Sequence, residues 1–408
     1  MPVGIDKIGV YPGALVLSMQ ALCEARGQEP AGFLDRMLVQ ERSLNPIWED
    51  PVTMAVNAAE PMLTDEDRDS IELLIVATES AVDQEKPIST WVQRYLRLGP
   101  NCRNFELKHA CYGGTAAFQM AVSWLASGLS RDAKALVIST DQSRMHLNKP
   151  HEFVTGAAAS AVLVSRNPRM LEIELGKCGY WTTEVWDLTR PTLQVETGDP
   201  ELSLLTYLDA LDGAFAHYQS RCAGPIDFDR YFDRNIYHSP FGGMTFLAHK
   251  TLVTSTLGLS PVDARAHFER KTLPSLRHLR RIGSTYGSST FIALLTLLAD
   301  DETLRNGDRI GVFAFGSGAC AEFYSGLVGP QAQQTARAAA LPARLDRRHG
   351  VTVDEYEQVE RRRTSLVENG DYDPERTAPP GAYDQLYAGQ RRLVLEGLSD
   401  HVRRYAWS

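Results

Sequence analysis

The sequence predicts an α/β protein built from two similar halves, on three observations. Short apolar runs of strand length recur at Ile71–Ala77 (IELLIVA), Ala135–Thr140 (ALVIST) and Arg309–Phe315 (RIGVFAF), and read as buried strands. Apolar stretches of helical period lie between the first two, Ala116–Leu125, and before the third, Tyr286–Ala299. The helix–strand unit also repeats. The offset that carries Tyr112-Gly113-Gly114 onto Tyr286-Gly287-Ser288 also carries Leu136 onto Ile310 and Asp141 onto Phe315. A repeated unit implies two α/β halves, placed here at residues 1–168 and 169–408.

Beyond the third strand the character changes. Residues 331–345 are rich in Ala, Arg and Gln, and Val351–Val367 is charged with a helical period. Gly370–Tyr383 carries the Pro, Gly and Asp of a loop. Leu386–Tyr405 reads as a final amphipathic helix, and no catalytic signal is found in this tail.

The composition is that of an ordinary globular chain, with 408 residues, 43% hydrophobic and 23% charged. A net charge of −9 argues against nucleic acid as the main partner. Cys23, Cys102, Cys111, Cys178, Cys222 and Cys320 show neither metal-type nor disulfide-type spacing. The first ten residues lack a signal peptide's basic and apolar segments. No apolar run approaches the ~18 residues of a spanning helix. The expectation is a reduced, soluble, cytoplasmic protein without a metal.

Three positions carry candidate chemistry. Cys111, in His109-Ala110-Cys111-Tyr112-Gly113-Gly114, opens the first apolar helix. The helix dipole there is expected to lower its pKa and make it a nucleophile for acyl groups; a buried structural cysteine fits the same pattern when taken alone. Glu79 follows the strand Ile71–Ala77 directly. Strand ends of α/β folds often hold catalytic groups, and a sheltered carboxylate there has a raised pKa suited to acid–base work; a strand-end glutamate in solvent fits the position as well when taken alone. His238 sits before the turn Ser239-Pro240-Phe241-Gly242-Gly243, where it can polarise a carbonyl or pass a proton; a packed or exposed histidine fits as well when taken alone. Gly316-Ser317-Gly318 follows the third strand and exposes backbone N–H groups that suit an oxyanion, a weak signal alone.

In order and context, Glu79, Ala110-Cys111-Tyr112-Gly113-Gly114, His238 and the Gly316-Ser317-Gly318 loop resemble the 3-hydroxy-3-methylglutaryl-CoA synthase family of the thiolase superfamily. The resemblance runs from about Gly4 to Gly329 and touches Leu341–Glu360. It implies a thiolase-like, five-layered αβαβα fold and a homodimer. It implies that Cys111 carries an acetyl thioester. Glu79 would take a methyl proton from that acetyl group and return one to the acceptor ketone's oxygen. His238 would bind that ketone, and the N–H groups of Cys111 and Ser317 would hold the acetyl oxygen. Ser284 and Tyr286 fall at the acceptor's polar site, where the family usually has asparagine in place of Ser284. No bound cofactor is implied; the substrate arrives on the 4′-phosphopantetheine of a carrier protein or on coenzyme A.

The segment after His238 separates these carriers. Primary-metabolism members place a lysine soon after the Pro-Phe. Here Gly242 and Gly243 stand there, and the first lysine is Lys250. This looks like the polyketide β-branching members, whose partners are donor and acceptor acyl carrier proteins. Such proteins are acidic, and Arg265, Arg270, Lys271, Arg277, Arg280 and Arg281 form a basic run that suits docking or a merely solvated helix face. Three other readings stand beside this one: a primary synthase using acetyl-CoA and acetoacetyl-CoA, a decarboxylating ketoacyl synthase, and a non-catalytic carrier-binding scaffold.

Overall fold

The computed structural model describes residues 2–129, 132–143, 146–193 and 195–408. The first half runs β1 (Gly4–Tyr11), α1 (Pro51–Ala59), β2 (Ile71–Ala77), α2 (Ile88–Tyr95), β3 (Arg103–Leu107), α3 (Gly113–Ala126), β4 (Lys134–Asp141) and β5 (Ala158–Ser165). The second runs β6 (Leu171–Thr182), a hairpin of β7 (Leu188–Thr192) and β8 (Val195–Gly198), α4 (Pro200–Ser220), β9 (Arg234–Tyr237), α5 (Gly242–Leu257), α6 (Pro261–Lys271), α7 (Ser288–Asp300), β10 (Arg309–Gly316) and β11 (Cys320–Val328). The three expected strands and both expected helices are present.

The main sheet has the order β9-β10-β11-β6-β1-β5-β4-β2-β3. Its two parts meet where Gly4 and Ile5 of β1 pair with Glu172 and Leu171 of β6. On one side β2 runs parallel to β4, and β4 antiparallel to β5. On the other, β9 runs parallel to β10, and β10 antiparallel to β11. Glu79 and His238 thus follow corresponding strands, β2 and β9, of two matching arrangements.

Alternation along the strands builds five layers. In β4, Ala135 and Val137 pack inward with α3 and α7, while Leu136 and Ile138 pack outward with α1 and α2. In β10, Ile310 and Val312 face the same inner helices, and Phe313 and Phe315 face α4 and α5. The order is helices, sheet, central helices, sheet, helices: the αβαβα arrangement of a thiolase-like fold. A helix between two sheets has no wet face, which is why Ser288–Leu298 of α7 is buried throughout. Phe118 of α3 meets Phe291 of α7 edge to face at 5.7 Å. The helices meet where they begin. A Cβ on Gly114 would lie 2.3 Å from Ser139 Oγ and 2.9 Å from the Gly287 carbonyl oxygen, so glycine at 114 is a packing requirement.

The tail departs from expectation at its end. A helix does form at Val353–Ser365 (α8), but Leu386–Tyr405 is not a helix. It contains a strand pair, β12 (Leu393–Ser399) and β13 (Val402–Trp407). Leu393 and Leu395 pack beside α1 and α2, and Val394 packs into a different cluster with Trp48 and Tyr387. That is period two, not 3.6. Asp400 and His401 turn the chain with φ of 50° and 62°, a two-residue turn of primed type without the glycine that would have signalled it. Tyr405 donates to Asp50 Oδ2 at 2.7 Å, fastening the hairpin to the residue that caps α1. No helix among the described residues is long and apolar enough to cross a membrane.

Candidate active site

Cys111 lies two residues before α3, after Ala110 in left-handed backbone with φ 39°. Gly113 donates its N–H to the His109 carbonyl at 3.0 Å, and the Tyr112 hydroxyl donates to Glu322 Oε2 at 2.9 Å. The first bond closes the turn that carries the cysteine, and the second ties its segment to β11. Across from it, Glu79 leaves the end of β2. Its N–H donates to Asp141 Oδ1 at 2.9 Å, and the hydroxyls of Thr78 and Ser80 donate to the same oxygen at 3.1 and 2.9 Å. Asp141 closes β4, the strand beside β2, and so fixes the turn that presents Glu79. The result is a pair: Cys111 Sγ donates to Glu79 Oε1 at 3.7 Å.

The electrostatics of this pair correct one expectation. The Cys111 thiol is held well above its usual range, not below it. Burial is the main cause, followed by the negative charges of Glu79 and Asp141. A helix dipole falls off within its first turn and does not outweigh a carboxylate in contact. Glu79 is pushed up to about 7, first by burial, with Arg190 pulling down and Glu196 pushing up. Asp141 is raised too, by burial and then by Glu79. The Glu79 side chain keeps 16% of its surface exposed, sheltered yet reachable. Near neutral pH it exists in both protonation states, as acid–base work requires.

His238 follows β9 and is 1% exposed. Its N–H donates to the Phe313 carbonyl at 2.7 Å, and its carbonyl accepts from the Tyr207 hydroxyl at 2.8 Å. Its Nδ1 is buried without a hydrogen-bond partner, and burial lowers its pKa to about 4, so the imidazole is neutral. The end of β10 lies against the cysteine's segment: a Cβ on Gly316 would stand 2.5 Å from the Tyr112 nitrogen. Ser317, next in the chain, is half-buried, and Gly318 donates its N–H to Asp187 Oδ1 at 2.9 Å. Ser284 is buried, pairing its backbone with Val154 and Gly156. Tyr286 has φ 52° and a buried hydroxyl without a partner, within electrostatic reach of Arg190 and Glu79.

The basic run is less free than its sequence suggests. Lys271 turns inward, donating to the carbonyls of Asp229 and Phe232 at 2.6 and 2.8 Å, which removes it from any docking surface. Arg281 bridges Glu41 and Asp346, Arg277 meets Asp300, Arg270 meets Asp229 and Arg265 meets Glu269. Arg265, Arg270 and Arg277 still expose 45%, 56% and 70% of their side chains. Arg280 is partly buried.

Sequence reasoning missed two residues that shape the site. Asp141 was legible in principle, because it ends the strand next to the one that delivers Glu79. Arg190 was not, since no motif surrounds it. From β7 its Nη1 donates to the Glu79 carbonyl at 2.9 Å, its Nη2 stands 3.9 Å from Glu79 Oε2, and its Nε donates to Glu196 Oε2 at 3.1 Å.

A thiol paired with a carboxylate at the start of a central helix, in an αβαβα fold, defines an acyl-transferring condensation enzyme. Residues 38–168 match the family model for the hydroxymethylglutaryl-coenzyme A synthase N-terminal domain, and residues 247–405 match that for the C-terminal domain. The Bacillus subtilis polyketide biosynthesis 3-hydroxy-3-methylglutaryl-ACP synthase PksG is 37% identical, covering 99% of both chains. The Enterococcus faecalis hydroxymethylglutaryl-CoA synthase is 34% identical over 99% of this chain and 100% of its own. Among solved structures, the curacin biosynthetic pathway HMG synthase in complex with apo donor-ACP is similar at a TM-score of 0.95, with 38% identity and full coverage of both chains. The chain belongs to the hydroxymethylglutaryl-CoA synthase family.

Proposed function

We propose that this protein performs the aldol step of polyketide β-branching on carrier-protein substrates. The observation that carries the chemistry is the Cys111–Glu79 pair at 3.7 Å, a nucleophile within reach of its base. Cys111 attacks the acetyl thioester of a donor acyl carrier protein. The thiol proton passes through Glu79 to the departing pantetheine sulfur, leaving acetyl-Cys111 and the free carrier thiol. Glu79, again a carboxylate, removes a proton from the acetyl methyl group. The resulting enolate carbon bonds to the β-ketone carbon of a polyketide held on an acceptor carrier. The neutral His238 imidazole donates to that ketone oxygen, which becomes an alkoxide and takes the proton from Glu79. Water then cleaves the thioester, giving a carboxymethyl branch and the free Cys111 thiol. The N–H groups of Cys111 and Ser317 serve the acetyl oxygen, and Ser284 and Tyr286 line the acceptor side.

Two observations favour a carrier protein over coenzyme A. The relative PksG is named an ACP synthase, and a curacin-pathway HMG synthase with 38% identity is described in complex with acetyl donor-ACP. The glycines after His238 also have a packing reason. Cβ atoms at Gly242 and Gly243 would come within 2.5 Å of Leu38 Cβ and 2.4 Å of the Arg36 carbonyl oxygen, so a lysine cannot stand at either without moving that segment.

The deciding experiment is intact-protein mass after mixing with acetyl-loaded carrier protein or, separately, acetyl-CoA. The expected result is an acetyl adduct formed much faster from the carrier protein and absent in Cys111→Ala. Equal or faster labelling from acetyl-CoA would assign the chain to primary metabolism. No adduct from either would remove the enzymatic reading.

The exposed arginines Arg265, Arg270 and Arg277 are the part of the basic run we assign to docking an acidic carrier, alongside Arg280 and Arg281. Reversing Arg265 and Arg277 together to glutamate is expected to raise KM for the acetyl carrier protein several-fold, with kcat held. An unchanged KM in steady-state kinetics removes this surface from the account.

A further inference from the structure

No step above uses the polar cluster on the far side of Arg190. We infer that His146, His151 and Glu196 form a binding site for a zinc-class divalent cation. One ring nitrogen from each histidine and one carboxylate oxygen from Glu196 lie within 4.8 Å of one another, and this is the one such His/Glu grouping among the described residues. Zinc bonds of about 2.0–2.2 Å place tetrahedral ligand atoms roughly 3.4 Å apart, so the widest separation has to shorten by up to about 1.4 Å. His146 Nε2 already stands 2.9 Å from Glu196 Oε1.

The surroundings fit ligands more than a solvated ion pair. The other nitrogen of His146, Nδ1, is 2.8 Å from Ser143 Oγ and 3.0 Å from Thr155 Oγ1. Those hydroxyls fix the ring and leave Nε2 to face Glu196, as partners of metal-bound histidines do. Glu196 uses Oε2 on Arg190 and keeps Oε1 for the cluster. The His146 and Glu196 side chains are 2% and 7% exposed, while His151 is only half-buried and leaves a way in. Its ring lies 5.4 Å from that of His146. Lys149 and Arg190 lie within electrostatic reach of His151. Lys149 and Arg190 oppose a cation. Glu196 answers with the one carboxylate of the cluster. Two histidines and one glutamate leave a fourth position for water.

The test is calorimetric titration of chelator-stripped protein with zinc chloride. Wild type is expected to bind one equivalent. Loss of an outer partner costs about 10–100-fold in affinity, so His151→Ala, which removes a ligand, is expected to weaken binding by at least about 100-fold. Cys111→Ala should bind like wild type. Cobalt(II) in place of zinc should give weak visible bands without intense sulfur-to-cobalt charge transfer. Acetyl-adduct formation by metal-free His151→Ala at the wild-type rate shows that the variant is folded. Absence of binding, binding unchanged in His151→Ala, or binding lost in Cys111→Ala would each overturn the site.

Discussion

Glu79→Gln is expected to retain the acetyl adduct on Cys111 while losing condensation by about 10²–10⁴-fold, the range for a positioned acid–base group. The two steps respond differently because Glu79 acts on Cys111 in two opposing ways. It accepts the thiol proton at 3.7 Å, and its charge helps hold the thiol above its usual range. Glutamine removes both effects. The proton acceptor is lost, but the thiol ionises more readily, so acetyl transfer continues. Enolisation has no such compensation, since an amide cannot take a methyl proton. The same reasoning makes iodoacetamide alkylation of Cys111 at pH 7 faster in Glu79→Gln than in wild type. Intact mass follows both the adduct and the alkylation. Condensation near the wild-type rate would remove Glu79 as base, and slower alkylation would reject the electrostatic account of the thiol.

The placements of Glu79, Cys111 and His238 were legible because each sits where a periodic segment changes character: a strand end, a helix start, a strand before a turn. Periodicity is local, and the sequence displays it. The thiol's raised pKa was not legible. The dipole argument needs only the residues of α3, whereas the opposing charge arrives from β2, 32 residues earlier. Arg190 was hidden for the same reason, since a hairpin arginine acquires its role only when β7 folds over Glu79. Leu386–Tyr405 misled because its apolar residues suit either period, and its turn at Asp400-His401 lacks a glycine. Lys271 misled in the opposite direction. Its charge counts toward a basic run in the sequence, yet it donates to buried carbonyls.

Arg190→Met is expected to move the acid limb of the condensation pH profile upward. Glu79 must be a carboxylate to remove the methyl proton, so the wild-type rate should rise through about pH 7, where its carboxyl titrates, and then level off. Burial raises that value and the Arg190 cation lowers it. Without the cation the carboxyl holds its proton to higher pH. The fraction of working base at pH 7 then falls about fivefold for the first unit of displacement and about tenfold for each further unit. Above the displaced limb the rate should return toward the wild-type plateau, because the base itself is intact. That return separates an electrostatic role from a structural one. Arg190 also donates to the Glu79 carbonyl at 2.9 Å, and a variant that merely let the Glu79 turn drift would lose rate at every pH. Arg190→Lys restores the charge without the planar fork, so its limb should lie near that of wild type even if its plateau is lower. A limb that stays in place in Arg190→Met would mean that Arg190 does not set the protonation of Glu79.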